Sequence, residues 1–325
     1  MKRVLIVWLA ACGDSQRPAI PDATVDAASA CEHRPGWSAA PPLAAPTQET
    51  AVVAAAGKVY VLGGFLDGAV TDAVQVFDPA TCTWSAGPKL PKPVHHANAA
   101  VVDDTIYVLG ALESPTFTAI GDTWAWSPAS DATWTMKTPM PTGTQRGSSV
   151  TGVIDGKIYV AGGLRSGAVV DVSMFDPTAN TWTPQQMLPM PRDHACGAAI
   201  AGKLYVAGGR QTNITSTSAT VFEFAPGAGW TERAAMPTGR GGTACGVVAS
   251  RLVVVGGEGN LAAPSGVFSE VEAYDAATNT WASLAPMPNP RHGMGAAVIE
   301  GRLYVPGGAD RQAFGAVTTH DVLVP

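Results

Sequence analysis

Charge is scarce in this chain. Asp, Glu, Lys and Arg together make up 14% of its 325 residues. The net charge of −6 gives no bulk attraction for a polyanion, and no nucleic-acid signature is present, so no nucleic-acid partner is expected. No run of roughly 20 apolar residues follows the N-terminus, so no spanning helix is expected there. HxH, HExxH and CxxC spacings are missing, as are GxSxG and a phosphate-binding glycine loop. These absences remove the local motifs of zinc, hydrolase and nucleotide chemistry, and no metal or cofactor is expected. Glycine and proline, by contrast, number 36 and 26. They are the residues of tight turns between many short strands.

The glycines are ordered. Apolar runs end in Gly63-Gly64, Gly162-Gly163, Gly208-Gly209, Gly256-Gly257 and Gly307-Gly308, with Gly110-Ala111 as a worn copy. Trp37, Trp84, Trp134, Trp182, Trp230 and Trp281 recur in step, about 46 to 52 residues apart. A fixed period of about 50 residues with a diglycine and a late tryptophan predicts propeller blades. Within one copy, Ala195 to Ala201 reads as an inner strand of small residues and Gly202-Lys203 as a hairpin turn. Leu204 to Ala207 follows as a second strand, Thr220 to Phe224 as a third, and Trp230 opens the fourth. The aligned Tyr60, Tyr107, Tyr159, Tyr205 and Tyr304, like the tryptophans, are expected to pack between blades.

The YVxGG strand, the segments VFDPATCTW, MFDPTANTW and AYDAATNTW, and the Met-Pro plus Arg before the next copy resemble the Kelch repeat. The resemblance covers about residues 32 to 325. It implies an all-β, six-bladed Kelch-type β-propeller. The last copy lacks its tryptophan strand and Trp37 lacks a preceding diglycine, so the ring is expected to be closed by an N-terminal strand, Gly36 to Ala39. The family also includes radical copper oxidases. Five of the six tyrosines sit in the repeated core strand, so that chemistry is not expected here.

The N-terminus carries Lys2 and Arg3, an apolar stretch from Val4 to Ala11, and Leu9-Ala10-Ala11-Cys12. It resembles the lipobox of bacterial lipoproteins, which implies cleavage before Cys12 and lipidation of its sulfur. The domain plan is then a signal peptide over 1–11, a lipid-anchored flexible tether over 12–30, and the propeller over 31–325. The implied location is the bacterial cell envelope, extracytoplasmic and held to the membrane by lipid. Such a compartment permits disulfides. Cys31 and Cys82, near the closing strand and near Trp84, can bridge. Cys196 and Cys245 lie on successive inner strands, expected about 10 Å apart, and are read as unbridged.

Strand order puts blade-to-blade links and post-diglycine loops on one face. That face gathers His95, His96, Arg165, Arg210 and Arg311, and the candidate ligand-binding set Arg146, Arg192, His194, Arg240, Glu258, Arg291 and His292. Arginine forks suit carboxylates, so a shallow basic bowl for a protein or acidic glycan ligand is expected. His95 and His96 are adjacent and would point to opposite faces on a strand. The balance is against an enzyme and in favour of a binding or scaffold protein. The alternative is a carbohydrate-active enzyme resembling sialic-acid mutarotases. It would need a proton-transfer group, with Glu258, Glu113 and His194 as candidates. No catalytic residue is assigned.

Overall fold

A computed structural model describes residues 31–325. The expected signal peptide, Cys12 and the tether lie outside the described residues. The described chain is all-β. It forms six four-stranded antiparallel sheets and a small three-stranded one, consistent with a propeller.

The sheet built from Cys196–Ile200, Lys203–Ala207, Val221–Ala225 and Gly229–Arg233, in that order, represents the others. Ile200 pairs with Lys203, so the hairpin loop is Ala201-Gly202, one residue earlier than the sequence suggested. Both loop residues have positive φ, 48° and 75°, as a type I′ turn requires. In the worn copy the second strand runs on as Thr105–Glu113 and pairs with Thr118–Trp126, with a register shift between Leu109 and Ala111.

Two contacts join each sheet to its neighbour. At the end of the second strand, Gly208 has φ +66°, and a Cβ there would lie 2.7 Å from the Arg240 carbonyl of the next link. The link therefore seats directly on the glycine. Gly307 stands in the same relation to Thr47, near the other end of the chain. The second contact is the tryptophan. Trp84, Trp134, Trp182, Trp230 and Trp281 each donate the indole N–H to a carbonyl of the preceding link, at 2.8 to 3.0 Å. These rings also cover apolar side chains between sheets, so a hydrogen-bonded polar handle accompanies a large apolar area. Gly36–Ala39 pairs antiparallel with His320–Val324, and Trp37 donates to the Ala285 carbonyl at 2.9 Å.

Cys31 and Cys82 form a disulfide with Cα atoms 5.8 Å apart. Cys196 and Cys245 are also joined, at a Cα separation of 6.0 Å, and the unbridged reading is corrected. Innermost strands converge on the axis, so their spacing falls below that of stacked sheets.

Candidate functional site

Near the end of each inward link, two positions past the aligned arginine site, the chain turns left-handed. The six residues are Glu49, His96, Ser148, His194, Gly242 and Gly293, with φ between 50° and 64°. Their backbones form a closed cycle. Each donates its N–H to the carbonyl of the one before it, and Glu49 donates to Gly293. Glycine meets such a geometry without strain, and two positions use it. A side chain at Gly293 would collide with the Glu49 carboxylate, 2.6 Å from the ideal Cβ. Glu49, His96, Ser148 and His194 occupy a conformation that costs non-glycine residues on the order of 1 kcal/mol or more. In return they project side chains around the axis.

One carboxylate and two imidazoles meet there. Glu49 Oε2 lies 3.0 Å from His96 Nε2, which lies 2.9 Å from His194 Nε2. The surrounding partners assign the tautomers. His95 Nε2–H donates to the Ser114 carbonyl at 3.0 Å, leaving its Nδ1 to accept from His96 Nδ1–H at 2.5 Å. His194 Nδ1–H donates to Asp193. His96 Nε2 thus faces both the Glu49 carboxylate and His194 Nε2, and the His194 Nε2 lone pair also lies within reach of Arg210 Nη2–H. His292 lies beside Glu49. His292 Nε2–H donates to the Arg311 carbonyl, so its Nδ1 lone pair faces Glu49 Oε1 and Glu258 Oε2, both at 3.6 Å. That buried nitrogen has no hydrogen-bond partner.

The electrostatics follow from this crowding. Burial alone would raise the Glu49 carboxyl, but His96, His292 and His194 outweigh it and hold the group well below the usual carboxylate range. Burial, then the neighbouring His96, push His95 down to about 4. Burial and the Arg210 guanidinium lower His194, and Asp193 offsets them only in part. Arg210 ties the group together. Its Nε reaches Asp193 at 3.0 Å, its Nη1 reaches Glu258 at 2.5 Å, and its Nη2 lies 2.8 Å from His194 Nε2.

The candidate residues named from the sequence separate into two groups. His194, Glu258 and His292 converge on the centre. Arg146, Arg192, Arg240 and Arg291 do not line a bowl, and that reading is corrected. All four are buried, at 0 to 1% exposure. Three of them donate from Nε, and Arg192 from Nη1, to the first diglycine carbonyl of their own blade, at 2.7 to 2.8 Å. Arg240 also pairs with Glu272, and Arg291 with Asp321. Burial lowers Arg146 and Arg192 to about 10, still protonated at neutral pH. Glu113 is half-exposed, 3.8 Å from Lys92 and away from the centre. Arg165 pairs with Asp171, and exposed Arg311 with Asp310.

His95 and His96 do not diverge. The left-handed turn at His96 breaks the strand alternation and brings both rings to the axis. With them, Glu49, His96 and His194 offer ligand atoms within 4.8 Å of one another, a grouping that no local sequence motif announced. Glu49 and Asp193 were missed as site residues. The signal that could have found Glu49 is its alignment with His96 and His194, two positions past the Arg site of each copy.

The Kelch-repeat domain model described for KLHDC2, KLHL20 and DRC7 matches residues 25–209 and 133–308. Kelch-like protein terF of Aspergillus terreus is 38% identical over 281 residues, 81% of this chain and 61% of that protein. Kelch-like protein 35 of Mus musculus is 31% identical over 198 residues, 60% of this chain and 24% of that protein. The chain thus spans about three-fifths of the first relative and a quarter of the second. The solved structure of YjhT superposes with a TM-score of 0.73 at 18% identity, over 87% of this chain and 96% of that one.

Two expectations fall here. The balance against an enzyme is overturned: a fold shared with YjhT holds a Glu–His–His group at its centre, both histidines buried. The lipid-anchored bacterial envelope location is overturned by the relatives, Kelch-like proteins of a fungus and of mammals. No helix among the described residues is long and apolar enough to cross a membrane.

Proposed function

The chain belongs to the Kelch-repeat family, and from that premise we propose that it is an enzyme with a divalent-metal reaction centre on the propeller axis. Glu49, His96 and His194 are the ligands. The carrying observation is the convergence of Glu49, His96 and His194, whose ligand atoms lie within 4.8 Å of one another, with the far nitrogens of the two rings held by His95 and Asp193. Orientation of a ligand histidine through its other nitrogen is the usual support of a metal site. Two imidazoles and a carboxylate suit a first-row divalent ion such as Zn²⁺, Fe²⁺ or Mn²⁺.

A metal here supplies Lewis acidity to an oxygen of the bound ligand. The chain's own residues supply the rest. Arg210 Nη2, 2.8 Å from His194 Nε2, would be free to hold an oxyanion or carboxylate were that nitrogen to ligate a metal. Glu258, buried and held by Arg210, faces the same space and can accept a proton. The ligand therefore presents an oxygen function, such as a carbonyl, hydroxyl or carboxylate, as carbohydrates and many other small molecules do. The body that carries this centre is one six-bladed unit over 31–325, closed by Gly36–Ala39. The Trp37–Ala285 bond, the seating of Gly307 on Thr47 and the axial backbone cycle support that reading.

The test is metal binding. Protein stripped with chelator and titrated calorimetrically with Zn²⁺, Mn²⁺, Co²⁺ or Fe²⁺ should take up one equivalent of at least one ion. His96→Ala and His194→Ala should abolish that uptake while leaving metal-free unfolding cooperative. No saturable uptake of any of these ions by wild-type protein would overturn the proposal.

A further inference from the structure

Above the Glu49–His96–His194 group the axis opens into a hollow of about 500 Å³, its open mouth included. Polar and apolar residues are segregated in its lining. Glu49, His96, His194, Arg210 and Glu258 form the floor. The remaining surface is Phe65, Phe117, Ile214, Ala313 and Phe314, with Gln48 behind it.

The aromatic walls are built into the site. Phe65 is buried, its ring 4.3 Å from His95 and 5.5 Å from Phe314. Phe117 stands 4.8 Å from His95 and 5.3 Å from His96. It does so from a φ of +60°, a conformation that bulky side chains rarely adopt. Strain of this kind tends to sit where a side chain must be aimed. Phe314 is 57% exposed, yet its segment is pinned. Gln48 Nε2 donates to the Ala313 carbonyl at 2.6 Å, and Gly315 N–H donates to Gln48 Oε1 at 2.9 Å. Ala313 N–H also donates to Glu258 at 3.3 Å. One N–H and the carbonyl oxygen of the Gln48 amide are engaged in this way. A large apolar side chain is thus held by the floor residues at the rim, facing solvent.

We infer that the substrate is a planar apolar molecule, aromatic in its body, with one oxygen-bearing head. This rests on the reading of the axis as a reaction centre and names the ligand class for it. The head meets Glu49, His96, His194 and Arg210, where charge and hydrogen bonds are available. The body lies between Phe117 and Phe314, where ring faces gain from offset or edge contact. A free sugar carries hydroxyls around its whole rim. Against Phe117, Ile214 and Phe314 several of them would lose water without a partner, and that penalty opposes binding. The polar groups stand only at the floor, so they match a ligand that is polar at one end.

The experiment uses 2-naphthoate as the planar aromatic probe and glucuronate as the sugar acid of the same charge. Binding of each is measured by calorimetry to wild type, Phe314→Ser and Phe117→Leu. Phe314→Ser removes an exposed side chain and does not threaten folding. Wild type should bind 2-naphthoate at least tenfold more tightly than glucuronate. Each Phe variant should weaken naphthoate about tenfold and leave metal uptake unchanged. Equal or tighter binding of glucuronate, naphthoate binding indifferent to both variants, or no binding of either probe overturns the ligand class. Metal uptake reports separately. If the protein takes up no metal but binds naphthoate through Phe117 and Phe314, the ligand class stands and the metal centre falls.

Discussion

Trp37 Nε1–H donates to the Ala285 carbonyl at 2.9 Å across 248 residues of sequence. The five other marker tryptophans make the same bond to the link before them, so Trp37 does for the last sheet what they do for theirs. Trp37→Ala should destabilise the protein by about 2 kcal/mol, less than a fully buried Trp because the ring is only half-covered. Trp37→Phe keeps most of the apolar contact and should cost about 1 kcal/mol for the lost bond. Deleting residues 31–40 should abolish cooperative urea unfolding, because the edge of His320–Val324 is then unpaired. A truncated protein that melts like wild type would contradict closure by this strand.

Arg240 tests the structural role of the repeated arginines. It is wholly buried, donates to Gly256, Thr238 and Val254 carbonyls, and pairs with Glu272. Arg240→Gln leaves Glu272 buried without its partner, and the expected loss is about 3 to 5 kcal/mol in equilibrium denaturation. Metal uptake by the variant, measured below its unfolding transition, should match wild type. Near-native stability would return Arg240 to the role of a ligand-binding residue.

The disulfides can be mapped without reduction. Peptides joining Cys31 to Cys82 and Cys196 to Cys245 are expected. Reduction under native conditions should lower stability by about 2 to 4 kcal/mol per bond, given loops of 51 and 49 residues. Recovery of Cys196 or Cys245 as free thiol in oxidised protein would reinstate the wider spacing of inner strands.

The repeat was legible because each blade needs the same local chemistry. The diglycine must accept a neighbouring link, the Trp must cover a gap, and both survive as a pattern of types. The axial group was not legible for the opposite reason. Glu49, His96 and His194 stand at one position of the repeat but share no residue type with Ser148, Gly242 or Gly293, so no motif forms. Their separations follow the blade period and resemble no ligand spacing. The arginines misled because a repeated Arg on the loop-bearing face reads as exposed charge. In the folded chain it turns under the link and caps carbonyls at the end of the second strand.

His320 gives the protein an acid-sensitive joint. It is 2% exposed, packs edge-on against Phe77, and Pro41 O lies 3.2 Å from its Nδ1. Burial lowers it from 6.5 to about 3, aided by Arg291. The unfolded chain therefore binds more protons between those values, and stability must fall with pH there. This contribution is fully present above pH 6.5 and is lost as pH drops from 6.5 toward 3. By pH 5 the loss is about 2 kcal/mol. His320→Phe should flatten the urea-midpoint profile between pH 7 and 5. A variant with the wild-type slope would show that other groups set the acid limit.

Asp193 decides whether the orientation of His194 belongs to a metal site. It accepts from His194 Nδ1–H and from Arg210 Nε, and touches none of the reacting space itself. It is therefore a positioning residue. Asp193→Asn keeps the shape but presents an amide that can offer N–H where the imidazole needs an acceptor. His194 held with Nδ1 as the acceptor carries its proton on Nε2, which blocks that ligand. Loss of such a support typically costs 10- to 100-fold in metal affinity. That is the expected weakening for Asp193→Asn, measured by competition with a chelating dye. His95→Phe removes the acceptor that fixes the His96 tautomer and should weaken uptake over a similar range. A purely structural role for Asp193 would lower stability and leave the affinity of folded protein for the metal unchanged. Unchanged affinity in both variants would remove the basis for placing a metal at Glu49, His96 and His194.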